Sequence, residues 1–131
     1  MKRTLLLVDD REMFLHIAKS CLVPKGFNVL LGHNEEDVMK ELARAAVDMV
    51  LLDIGLGLKG DEGLGILRRI RESTKDLPII MVSADAGKQK LCYDLGATAF
   101  IPKPVNYDFL YRQIYRALTN NTIIIADDKP S

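Results

Sequence analysis

Five short apolar runs punctuate the chain, at residues 5–8, 27–31, 49–52, 79–82 and 99–101. Leucine, isoleucine and valine dominate them, and most do not alternate with polar residues. Strands buried on both faces read this way. The intervals are too long for hairpins and carry helical spacing instead. Met13, Ile17 and Cys21 share one face of the first interval. In the second, Asn34 is a candidate cap, followed by Glu35, Glu36 and Asp37, where the helix dipole favours negative charge. Val38, Leu42 and Ala45 make its apolar stripe. Leu64, Leu67 and Ile70 make that of the third. The fourth helix is predicted to be short, over about residues 86–95, with Gly96 ending it. The fifth starts at Asn106 and buries Phe109, Leu110, Ile114, Ala117 and Leu118.

Strand and helix thus alternate five times, which predicts an α/β domain with a parallel sheet. Right-handed crossovers place helices on both faces, giving a doubly wound, three-layer (βα)5 sandwich with strand order 2-1-3-4-5. Ligands of such sheets bind at the carboxyl ends of the strands, beside the reversal of strand order. Here the reversal falls between the first and third strands. Asp9 and Asp10 follow the first strand, Asp53 the third, Ser83 the fourth and Lys103 the fifth. All five groups are therefore predicted at one sheet edge.

Three carboxylates at one place repel one another and resist ionising together. A divalent cation relieves that repulsion, and Mg²⁺ suits oxygen donors. The three carboxylates, Mg²⁺ and Lys103 sum to zero formal charge. Such a site is ready for an anionic phosphoryl group. A carboxylate can attack phosphorus, and a metal, an ammonium and a hydroxyl can steady the equatorial oxygens.

The 131 residues fit one domain, and 48% of them are hydrophobic, enough for one packed core. Eighteen basic and 18 acidic side chains give a formal net charge of zero. That balance argues against general nucleic-acid binding and against attraction to anionic membranes. The first apolar run is too short for a signal-peptide core, and no run approaches membrane-spanning length. Cys21 and Cys92 stand apart without metal-ligand spacing, as packed thiols of a reducing cytoplasm. A cytoplasmic location is expected.

Leu5-Leu6-Leu7-Val8-Asp9-Asp10, Val50-Leu51-Leu52-Asp53, Val82-Ser83-Ala84, Gly96-Ala97 and Lys103-Pro104 resemble the signature of receiver domains of two-component response regulators. The resemblance runs from about residue 4 to residue 118, and the receiver domain is placed at residues 1–119. It implies a flavodoxin-like fold and a phosphoacceptor at Asp53. It further implies Mg²⁺ held by Asp10, Asp53 and the Gly55 carbonyl, with Asp9 acting through water. Lys103 would contact the phosphoryl oxygens. Ser83 and Phe100 would be the switch residues, and Lys103–Pro104 a cis bond. The implied donor is a sensor histidine kinase or phosphotransfer protein. The implied output is a downstream effector domain or protein reading the face of the fourth helix, fifth strand and fifth helix. A phosphorylation-dependent homodimer is also compatible. The chain would be a participant in phosphotransfer, at most weakly an enzyme. It carries no helix-turn-helix, so no direct DNA contact is expected.

The chain departs from the family pattern in places. Gly57 stands four residues after the phosphoacceptor, where Pro is usual, and the loop after Asp53 is about two residues longer. The stretch from Ser83 to Gly96 is about two residues shorter. Gly55, Gly57 and Gly60 spell a G-x-G-x-x-G, but Asp61 and Glu62 occupy the helix start where a pyrophosphate would need positive potential. An FMN module would want a hydroxyl-rich loop where Asp9, Asp10 and Glu12 stand. A receiver-like interaction module that works without phosphorylation is a further alternative. His16 and His33 read as ordinary surface or core-edge residues, and Arg68, Arg69 and Arg71 as a solvated helix face. Tyr107, Tyr111 and Tyr115 form either one partly buried stripe or part of a partner surface. Residues 120–131 repeat the opening pattern: Thr122-Ile123-Ile124-Ile125-Ala126-Asp127-Asp128 echoes Thr4 to Asp10. The echo suggests the start of a following receiver-like domain. The alternative is a segment packed on the surface or against a sheet edge.

Overall fold

The computed structural model describes residues 2–57 and 59–119; the echo at 122–128 lies outside them. Five strands form one parallel sheet: β1 (Thr4–Val8), β2 (Asn28–Gly32), β3 (Met49–Asp53), β4 (Ile79–Ser83) and β5 (Ala99–Pro102). Their order is β2-β1-β3-β4-β5, as the alternation predicts. Central β3 and β4 are buried at every position, which is why they read as unbroken apolar runs. Edge strand β2 is only partly covered, and it runs one residue later than the apolar pattern suggests.

Five α-helices connect and cover the sheet: α1 (Glu12–Leu22), α2 (Glu35–Arg44), α3 (Glu62–Ser73), α4 (Gln89–Asp94) and α5 (Tyr107–Thr119). α1 and α5 pack on one face through Leu15, Ala18, Leu22, Leu110 and Ile114. α2, α3 and α4 cover the other with Val38, Ile66, Leu67, Ile70 and Cys92. Asn34 caps α2 by accepting the Asp37 amide at 2.8 Å, and Asn106 caps α5 by accepting that of Phe109 at 3.0 Å. α4 has only six residues and follows a 3₁₀ turn at Ala86–Lys88, so the predicted shortening is real.

One apolar stripe faces the other way from what its spacing suggests. Met13 is 72% exposed and Ile17 43%, while Leu15, Ala18 and Leu22 are buried. α1 is apolar on two faces, and local periodicity cannot choose between them. Packing chooses the face with small Ala18 at its centre, which lets the helix lie close to the sheet. The α5 tyrosines are partly covered at Tyr107 and Tyr111 and exposed at Tyr115. Among the described residues, no helix is long and apolar enough to cross a membrane.

A histidine ties the starts of α1 and α2 together. The His33 ring contacts Glu12 through Nε2 and Asp37 at 3.3 Å through Nδ1, while Glu12 also lies 3.4 Å from His16. The hydrogen bond to Glu12, with Asp37 adding to it, raises the His33 pKa above the ordinary 6.5. The stabilisation is complete below 6.5 and is lost as pH rises through the higher folded-state value. Exposure of both partners keeps it small. Melting curves taken from acid to alkaline pH should show His33→Gln less stable than the parent at the acid end and equal to it at the alkaline end. A constant gap across the range would refute the linkage.

Candidate functional site

The carboxyl ends of β1, β3, β4 and β5 meet at a cleft of about 340 Å³ lined by Asp10, Arg11, Asp53, Gly55, Ser83 and Lys103, among others. Parallel register creates this convergence. Val8 pairs with Leu52, Asp53 with Val82, and Ser83 with Pro102, so the residues that follow leave the sheet at one level. Lys103 then donates its amide to the Ser83 carbonyl at 2.9 Å, which holds the last loop against the fourth. The Lys103–Pro104 peptide bond is cis.

Asp53 and Asp9 are buried and Asp10 is exposed. Each offers a carboxylate oxygen, and the three oxygens lie within 4.8 Å of one another. The Lys103 ammonium sits 3.0 Å from Asp53 Oδ1 and 3.6 Å from Asp9 Oδ2. Burial, followed by the Asp9 charge, pushes the Asp53 pKa up, against the pull of Lys103 and the Gly55 backbone. An oxygen-only donor set, crowded and partly desolvated, fits a hard divalent cation such as Mg²⁺. Gly55 lies against the carboxylate: a Cβ there would sit 3.6 Å from Asp53 Oδ2, at ordinary contact distance.

Ser83 Oγ accepts the Asp85 amide at 2.9 Å and so lies at the cleft with its hydroxyl engaged locally. Phe100, three residues before Lys103, is 7% exposed and packs in the α2–α3–α4 core. The expected switch aromatic is thus already buried. The long loop after β3 is joined to the acidic cluster, since Gly57 donates its amide to Asp10 Oδ2 at 3.3 Å. Gly57 has φ +79, a backbone conformation that other residues rarely adopt, which is why a glycine stands in this turn. The three glycines of the G-x-G-x-x-G therefore serve a turn that reaches an aspartate, and α3 begins with Glu62 in its first turn.

Three participants escape a reading by motif. Arg11 donates its amide and Nε to Asp9 Oδ1 at 2.9 and 3.2 Å, and Nη2 to Oδ2 at 3.1 Å. That hydrogen-bonded carboxylate raises the Arg11 pKa. The Phe14 ring carries the Arg11 guanidinium at 5.8 Å and the Lys103 ammonium at 5.4 Å. Gly63 packs against the Asp53 backbone, where a Cβ would collide with the Asp53 carbonyl and come within 2.6 Å of Ile54 Cα. The one local signal was an amide two residues after an aspartate, which favours a turn closed by the side chain.

Known proteins carry the same architecture. Residues 5–115 match the family model described as response regulator receiver domain. The chain is 34% identical over 108 residues to the transcriptional regulatory protein CpxR of Escherichia coli (strain K12), covering 81% of this chain and 44% of that one. It is 31% identical over 122 residues to the transcriptional regulatory protein YkoG of Bacillus subtilis (strain 168), covering 92% of this chain and 53% of that one. It spans about half the length of these relatives. Among solved structures, a response regulator from Thermotoga maritima superposes with a TM-score of 0.80 at 29% identity, covering 91% of this chain and 99% of that one. A CheY-like receiver domain protein from Methanospirillum hungatei gives 0.83 at 25%, covering 92% and 96%.

Proposed function

This chain belongs to the response regulator receiver domain family of two-component systems, and on that premise we propose that it accepts a phosphoryl group on Asp53. The observation that carries the reading is the Lys103 ammonium 3.0 Å from a buried Asp53 carboxylate, with Asp9 and Asp10 beside it. The donor is a phosphohistidine on a sensor kinase or phosphotransfer protein. An Asp53 oxygen attacks phosphorus, the donor P–N bond breaks, and the imidazole nitrogen leaves with the bonding pair. An acyl phosphate replaces a phosphoramidate.

The chain's own groups position and neutralise. Asp10, Asp53 and the Gly55 carbonyl would hold Mg²⁺, with Asp9 through water, and the ion would supply positive charge toward the phosphoryl oxygens. Lys103 shifts from carboxylate to phosphoryl oxygen, a short move from its present place between Asp53 and Asp9. Ser83 releases the Asp85 amide and donates its hydroxyl to another oxygen. That motion pulls the β4–α4 loop toward the site. Phe100, on the neighbouring strand, starts from a buried position, so it responds by repacking against α4. The face of α4, β5 and α5 changes shape, and an effector domain or protein reads it. Phosphorylation thereby biases a two-state equilibrium through a local charge.

Incubation with acetyl phosphate and Mg²⁺ tests the reading. Mass spectrometry should find one added phosphoryl group, and chelation of the metal should prevent its appearance. If the mass stays unchanged with the metal present, the chain is an interaction module that works without phosphorylation.

A further inference from the structure

The role of Arg11 rests on the reading of the aspartate cluster as a divalent-cation site. Asp9 has no exposed surface, so any group that occupies its oxygens does so at the expense of another ligand. Oδ1 already accepts two N–H groups of Arg11, at 2.9 and 3.2 Å. A carboxylate oxygen offers about two in-plane lone-pair directions, so this oxygen is filled. Oδ2 accepts Arg11 Nη2 at 3.1 Å and faces the Lys103 ammonium at 3.6 Å. The fork geometry of a guanidinium makes such a pair directional as well as charged. Both cations also rest on the Phe14 ring, which keeps them beside the cleft although Arg11 is otherwise exposed.

Two consequences follow from charge and geometry. Asp9 is the carboxylate of the cluster held by a guanidinium, while Asp53 faces the Lys103 ammonium and Asp10 accepts only the Gly57 amide. With Arg11 counted, the three aspartates and Lys103 sum to a formal charge of minus one instead of minus two, which weakens the pull on a divalent cation, and with the cation bound the sum is plus one, which favours an incoming phosphoryl dianion. We propose that Arg11 is a positioning residue that keeps Asp9 from direct contact with the cation and sets a weak affinity for Mg²⁺ in the unphosphorylated chain.

Mg²⁺ alone, titrated into the intact chain and followed by the amide resonances of Gly55 and Gly57, tests this without any phosphodonor. Arg11→Ala should bind Mg²⁺ about tenfold more tightly, because a fixed positive charge leaves and Asp9 loses its two guanidinium contacts, keeping from residue 11 only the amide. Arg11→Lys keeps the charge but not the two-pronged contact, and should fall between the parent and Arg11→Ala. Arg11→Gln, neutral and of similar length, should follow Arg11→Ala and stands in for it if the alanine variant unfolds. A merely structural brace predicts the opposite sign, with weaker binding once Arg11 is lost. Unchanged or weaker binding in the neutral variants overturns the proposal, as does Arg11→Lys behaving like Arg11→Ala. Asp10→Asn distinguishes the cation site from the role of Arg11. Loss of Mg²⁺ binding there upholds the cluster as the cation site whatever Arg11 does, and an unmodified chain that binds no Mg²⁺ defeats both.

Discussion

Asp53→Asn should eliminate phosphoryl incorporation from acetyl phosphate while leaving the fold intact. An amide oxygen is a poor nucleophile toward phosphorus, and the neighbouring carboxylates cannot substitute. Asp9 is held by Arg11, and Asp10 lies at the exposed rim, bonded to Gly57. Asparagine keeps nearly the same shape at a site that Asp53 leaves only 4% exposed, so packing survives. The sign of the stability change is also determined. The folded state raises the Asp53 pKa, chiefly through burial, so the ionised carboxylate costs stability above its ordinary value of 3.8. Asp53→Asn removes that cost and should melt above the parent at neutral pH. The gain should vanish in acid, where both states hold the proton. A mass increase that persists in the variant would place the phosphoacceptor elsewhere.

The second large effect is structural and lies in a glycine with no chemistry of its own. Gly63→Ala should destabilise the chain by about 3 kcal/mol, since overpacking against backbone has no flexible side chain to absorb it. The added methyl would run into the Asp53 carbonyl and approach Ile54 Cα to 2.6 Å, so α3 must move away from β3. Melting should fall by roughly 10 °C for a domain of this size. Phosphorylation should slow as well, because the displaced backbone is that of the phosphoacceptor. Gly65, one turn-half further along α3, supplies the control. Nothing lies within 4 Å of a Cβ there, and its φ is unremarkable for a helix. Gly65→Ala should therefore stabilise by about 0.5–1 kcal/mol through helix propensity and a stiffer unfolded chain. Equal melting shifts in the two variants would show that close approach at Gly63 is not what holds α3 to β3.

Much of the molecule was legible along the chain because its signals are local. Apolar runs of strand length, separated by helical spacing, declare five βα units, and chirality and crossover length then leave few topologies. The same logic delivers Asp9, Asp10, Asp53, Ser83 and Lys103 to one edge, since each simply follows a strand. Asn34 and Asn106 are caps by residue type and place alone. The short α4 was legible from the residue spacing between Ser83 and Gly96.

What tertiary structure alone decided involves residues distant in sequence. The inward face of α1 depends on what the sheet presents to it, so Leu15, Ala18 and Leu22 displaced the equally periodic Met13 and Ile17. Gly57 meets Asp10 across 47 positions of chain, and no periodicity encodes that hydrogen bond. Gly63 is required only because α3 comes back against the end of β3. Phe14 becomes a platform for two cations only when the β5–α5 loop brings Lys103 over it. Local pattern determines which elements form and which residues end them. The contacts that tune the acidic cluster arise from packing between those elements, and their geometry exists only once the sheet is assembled.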